Sequence, residues 1–167
     1  MGSPRQRHQP ARIWTVAKFM RFAFPGLGIS ARARLLEAEA PITCRTLWNV
    51  LPAKGPCLHA LYSGTCTVIF LDPTIVVPVE NATHLIQKGD VMFTHYDPGT
   101  RHGQLEGVSE IYWAYDRYCK PTSPGMMTPV TPNIFGEFVG DAQAFYDACR
   151  AIQTGGPQAL IVTGEEE

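Results

Sequence analysis

The feature that most limits how this chain can fold is a period of two that keeps returning. In Ile29–Leu36, the residues Ile29, Ala31, Ala33 and Leu35 alternate with Ser30, Arg32 and Arg34. An extended segment with that pattern is apolar on one face and polar on the other. Short runs of strand character recur at Thr15–Phe24, Leu58–Tyr62, Thr67–Leu71, Val91–Tyr96, Ser109–Arg117, Ile134–Val139 and Gln158–Val162. Gly, Pro, Asn and Asp punctuate them as turn residues. The period lengthens to a helical one only twice. In Ala40–Leu51, the residues Ala40, Cys44, Leu47, Trp48 and Leu51 share a face, Pro41 suits a first turn and Pro52 stops the run. In Asp141–Ile152, Asp141 is placed to cap the helix, Ala142, Phe145, Cys149 and Ile152 form its stripe, and Gly155–Gly156 ends it.

Short strands in series with two helices are not an alternating βαβ pattern. They predict a mainly β fold, a closed antiparallel barrel of eight strands with the two helices plugging its ends. A barrel of that size fills its interior with side chains. A ligand is therefore expected at a mouth or on an outer face.

One domain is expected over residues 13–163, with a disordered tail at 1–12 and an acidic tail at 164–167. The chain of 167 residues is 45% hydrophobic and 17% charged, which is enough apolar volume for a single core. A net charge of −1 without a basic run in the body argues against nucleic acid as a partner. No apolar stretch approaches the length of a membrane span, and the polar N-terminal segment is not followed by a signal-type apolar core. Five cysteines without metal spacing point to reduced thiols in a cytoplasmic protein. Self-association into a homo-oligomer is left open.

Polar chemistry concentrates in Val76–Arg117. Pro78–Thr83 is read as a polar hairpin tip, Lys88–Gly89–Asp90 as the turn launching a strand, and Asp97–Gly107 as a loop carrying Gly and His. Gly26–Leu27–Gly28 lacks the third glycine and the helix of a dinucleotide fingerprint. There is no GxSxG elbow, and no HxH, HxxxH or HxxE spacing. No cofactor and no metal are expected.

Several short motifs carry a resemblance in a fixed order: Ala40–Pro41 with Cys44; His59–Ala60–Leu61–Tyr62–Ser63–Gly64; Pro78–Val79–Glu80–Asn81–Ala82–Thr83; Gly89–Asp90–Val91; Ser109–Glu110–Ile111 with Trp113–Ala114–Tyr115–Asp116–Arg117; and Asn133–Ile134–Phe135. From about Lys18 to Val162 the chain resembles a bacterial family of small cyclophilin-like proteins. The resemblance implies an eight-stranded barrel with two capping helices. Members include opine synthases of the cucumopine type and enzymes that begin β-carboline biosynthesis. Both perform Pictet–Spengler condensations of an amino acid with a 2-oxo acid.

That reaction forms an iminium from an amine and a carbonyl. An electron-rich ring attacks the iminium, and a base then removes the ring proton. It needs a carboxylate or imidazole for proton transfer, aromatic walls, and donors for substrate carboxylates. Glu80 is the first choice of base, on the expectation that partial desolvation raises its pKa. Glu110, His59 and His102 are the further catalytic candidates. Tyr62, Trp113, Tyr115 and Phe135 are candidate ring walls, Arg101 and Arg117 candidate carboxylate clamps, and Asn81 and Thr83 candidate substrate contacts. Each has a plainer alternative: a turn or cap for Glu80, Asn81 and Thr83, a solvated surface for the arginines, and barrel core for His59 and Trp113.

The resemblance thus implies a cofactor-independent cyclase joining tryptophan, or else histidine, to a 2-oxo acid such as 2-oxoglutarate. Two rivals are a non-catalytic metabolite-binding module and a peptidyl-prolyl isomerase. The absence of a Phe–His–Arg strand speaks against the second.

Overall fold

A computed structural model describes residues 16–100, 105–122 and 129–167. The strands are β1 (Lys18–Phe24), β2 (Ile29–Leu35), β3 (Ala53–His59), β4 (Cys66–Leu71), β5 (Asp90–Tyr96), β6 (Val108–Ala114), β7 (Asn133–Val139) and β8 (Gln158–Glu166). The helices are α1 (Pro41–Trp48) and α2 (Gln143–Gly155). Neighbouring strands run β1-β2-β7-β5-β6-β4-β3-β8, and β8 returns to β1 to close the barrel. Every pairing is antiparallel. This is the eight-stranded, two-helix barrel that the alternating pattern predicts. None of the described helices is long and apolar enough to cross a membrane.

The inward residues of the alternating strands make one core. Met20, Phe22, Ile69, Phe93, Ile111, Trp113 and Phe135 are all at most 1% exposed. The Trp113 ring meets Phe22 edge-on at 5.1 Å, and Phe145 of α2 stacks on Phe24 at 5.0 Å. Pairs in these geometries add about 0.5–1.5 kcal/mol each beyond the area they bury. A second, smaller cluster lies outside the barrel wall, where Val68, Met92, Tyr112 and Ile134 are covered by Leu36, Leu58 and Ile86.

Four local expectations are corrected. Pro78–Thr83 is not a hairpin tip. It lies within the long connection 72–89 between β4 and β5, and β6 separates those two strands, so no hairpin can join them. The strand expected at Leu58–Tyr62 is β3, which begins at Ala53 and ends at His59. Gly55 and Pro56 hide it from a propensity reading, yet Pro56 pairs with Ala159 of β8. The strand expected to end at Val162 continues to Glu166. Glu165 and Glu167 are drawn into the sheet face by Arg32, at 2.9 and 2.8 Å, and Arg21 adds a further bond to Glu165. Asp141 lies one residue before the cap position of α2, and its carboxylate accepts from the Gln143 amide at 3.0 Å.

Candidate functional site

A cavity of about 430 Å³ opens on the outer face of β3, β4 and β6. Its position follows from register. On β6, the core takes Ile111 and Trp113, so Glu110 and Tyr112 face outward. β4 sets Phe70 beside Glu110 and Val68 beside Tyr112, and β5 sets Thr94 on the other side of Glu110. The end of β3 and the turn after it supply Leu58, His59, Leu61 and Tyr62, while Tyr96, Pro121 and Thr122 complete the rim.

The rim is fastened by hydrogen bonds from backbone amides. Lys120 N donates to Ser63 O at 2.9 Å, Thr122 N to Ser63 Oγ at 3.2 Å, and Tyr115 N to Thr65 O at 3.1 Å. Gly64, at φ +73°, makes the close approach: a Cβ there would lie 2.2 Å from the Tyr118 carbonyl oxygen.

Glu110 is 8% exposed and lines this cavity. Next to it the Tyr112 hydroxyl lies 2.8 Å from Thr94 Oγ1. Burial, reinforced by the Glu110 charge, pushes the Tyr112 phenol well above its ordinary pKa, so it stays protonated at neutral pH. His59 Nε2 lies 2.8 Å from the Tyr115 hydroxyl, and the two rings meet edge-on at 5.8 Å. Desolvation lowers the His59 pKa, opposed by a backbone hydrogen bond at Ala60, so the imidazole is neutral at pH 7. Burial raises the Tyr115 pKa, opposed by Arg150. The cavity therefore combines one carboxylate, a neutral phenol and a neutral imidazole over an apolar floor of Leu58, Val68 and Phe70. Such a site can bind an amine or an aromatic ring and take a proton from it.

The expected site residues divide sharply. Glu110, His59 and Tyr62 line the cavity, and Tyr115 stands behind His59. Glu80 does not line it. Its Oε1 accepts from the Ile42 amide at 3.0 Å, and its Oε2 accepts from the Thr43 amide and hydroxyl, both at 2.8 Å. Desolvation acts to raise its pKa. The Thr43 and Ile42 amides, the Thr43 hydroxyl and the Arg45 charge outweigh it, and the carboxyl ends below its ordinary range. The expected upward shift is thus reversed, because the helix N-terminus stabilises the anion.

Asn81, at φ +44°, donates from Nδ2 to Ile134 O at 2.8 Å, and Thr83 Oγ1 accepts from the Leu85 amide at 3.0 Å. Both shape the connection and not the cavity wall. Trp113 and Phe135 are 0% exposed inside the barrel, where Trp113 Nε1 donates to Cys149 Sγ at 3.3 Å. Neither can form a ligand wall. Arg117 is exposed beside Tyr118 and does not line the cavity. Arg101 and His102 lie outside the described residues.

Sequence reasoning missed Tyr96, Tyr112, Phe70 and Val68 as lining residues. Period-two alternation does put Tyr112 on the face of Glu110, so that signal was present. Phe70 and Val68 join only through the β4–β6 register, which local sequence does not encode. The role of Asn133 was also hidden. Its Oδ1 accepts from the Glu80 amide at 3.0 Å, and its Nδ2 donates to Thr43 Oγ1 at 3.0 Å and Pro78 O at 2.9 Å. Among the described residues, no three His, Cys, Asp or Glu side chains converge as a metal set would.

Comparison with known proteins gives a family and a fold. The family described as "Protein of unknown function (DUF3830)" matches residues 22–163. No curated protein matches the chain. Among solved structures, that of McbB in complex with tryptophan is similar at TM-score 0.58 and 18% identity. The match covers 87% of this chain but only 44% of the McbB chain, so this chain spans less than half the length of McbB. The hypothetical protein AF2241 from Archaeoglobus fulgidus is similar at TM-score 0.56 and 17% identity, with 92% of this chain and 98% of that one covered.

Proposed function

We propose, for a chain that belongs to the DUF3830 family, that the outer-face cavity is the reaction pocket of a Pictet–Spengler cyclase. It joins an aromatic amino acid, tryptophan before histidine, to a 2-oxo acid such as 2-oxoglutarate. The observation that carries the reading is the buried Glu110 carboxylate in an apolar-walled cavity between phenols and an imidazole. The resemblance to cyclising family members and the tryptophan bound to McbB support the choice of substrate.

The substrate amine adds to the oxo carbon, and loss of water leaves an iminium. The ring carbon forms its bond to the iminium carbon, and the iminium π pair moves onto nitrogen. Glu110 takes the ring proton, and the C–H electron pair restores aromaticity. Tyr112, kept protonated by burial, can donate to developing charge. His59, steadied by Tyr115, walls the ring side of the cavity. Glu80 has no proton to move. It holds α1 against the connection 72–89.

A second reading, a non-catalytic metabolite-binding module, has one observation in its favour. The Tyr112 hydroxyl and His59 Nε2 each lie within hydrogen-bond reach of another protein side chain. Incubation with tryptophan and 2-oxoglutarate separates the two. The cyclase gives a compound whose mass is the sum of both less one water, and it survives borohydride without gaining two hydrogens. If tryptophan binds but neither it nor histidine yields product with any common 2-oxo acid, the module reading replaces the first.

A further inference from the structure

A second cavity, of about 300 Å³, sits on the far side of Phe70 from the first. It exists because the barrel wall parts there. β3 and β4 pair only at Leu58 with Val68 and at His59 with Thr67, whereas β4 and β6 pair at six positions. Continuing the β3–β4 register would set Pro56 against Phe70 and Lys54 against Asp72. Pro56 brings no N–H to a ladder, and from Ala53 to Cys57 β3 keeps only the pairing on its other edge, to β8. The parted strands leave a cleft with Lys54 on one bank and Asp72 on the other. Val50, Pro52, Phe70 and Ile75 supply apolar walls between them.

The two charges do not close on each other: no ion pair joins Lys54 to Asp72 among the described residues. One cation and one anion on opposite banks of an apolar cleft complement a ligand with the same three features in reverse order.

We infer that this cleft binds a zwitterionic α-amino acid with an apolar side chain. Lys54 receives its carboxylate, Asp72 its ammonium, and Phe70 and Ile75 its side chain. A dicarboxylate would meet Asp72 as a like charge, and an alkylamine would meet Lys54. The site is separate from the Glu110 pocket and does not depend on the reaction proposed there.

L-Methionine is a suitable probe, since it has no ring to cyclise. In calorimetric titration of the full chain, methionine should bind, and glutarate and hexylamine should bind more weakly. Lys54→Met and Asp72→Asn should each weaken methionine by about two- to fivefold, as expected of an exposed charge pair. Both positions are exposed, so both variants should keep the wild-type melting temperature. Glu110→Gln should leave methionine binding unchanged. No binding by the wild type would overturn the inference. So would wild-type affinity in both charge variants, or a loss confined to Glu110→Gln, which would put methionine in the first pocket. Lys54-dependent binding in a protein that makes no cyclised product would sustain this site while sinking the reaction.

Discussion

The carboxylate of Glu80 accepts two hydrogen bonds from Thr43, one from its amide and one from its hydroxyl, both at 2.8 Å. With Ile42 the same carboxylate satisfies a second free amide of α1. The helix has no cap of its own at Ala40, so Glu80, thirty-seven positions beyond Thr43, supplies it.

Glu80→Gln should therefore cost stability, by about 0.5–2 kcal/mol as cap losses do, and leave cyclisation near the wild-type rate. The pH dependence has a definite sign. A carboxyl with a lowered folded pKa contributes fully above its ordinary value of 4.5 and loses that contribution as pH falls through the folded value. The gap in denaturation midpoint between wild type and Glu80→Gln should shrink below about pH 4.5. A constant gap down to acid pH would show that the cap is not ionic.

Gly64→Ala should destabilise the pocket rim, because it adds a Cβ against the Tyr118 carbonyl at a positive φ. The backbone strain alone is about 1–2 kcal/mol. Gly26, with nothing within 4 Å of its would-be Cβ and no positive φ, is the control. Urea midpoints should drop for Gly64→Ala and stay near wild type for Gly26→Ala.

Trp113 and Tyr62 are both candidate ring walls by sequence, and in the structure they should behave oppositely. Trp113→Ala empties a fully buried site and should cost about 3–5 kcal/mol. Tyr62 is 47% exposed on the cavity rim, so Tyr62→Ala should shift stability by less than about 0.5 kcal/mol while weakening tryptophan binding. Equal melting temperatures for the two variants would contradict the assignment of Trp113 to the core.

The barrel was legible because its code is local. Alternation at Ile29–Leu36, the switch of period at Ala40–Leu51 and the stripe ending at Ile152 each reflect what a single element buries. The site was only half legible, because it is assembled across strands. Glu110 could be found from its own strand face. Phe70 could not, since its place beside Glu110 depends on the pairing of β4 with β6. Glu80 was misjudged for the same reason. Its neighbours in sequence, Val79 and Asn81, say nothing of α1, but its neighbours in space are the free amides of that helix. Local composition suggested a raised pKa, and the amides reverse it.

Glu110→Gln tests the central proposal most directly. The change keeps the side-chain volume and removes the basic carboxylate. With wild type forming the borohydride-stable product from tryptophan and 2-oxoglutarate, the variant should still bind tryptophan while turnover falls by about 10²–10⁴-fold, the share of a positioned general base. A variant that cyclises at the wild-type rate would contradict the assignment of the proton transfer to Glu110.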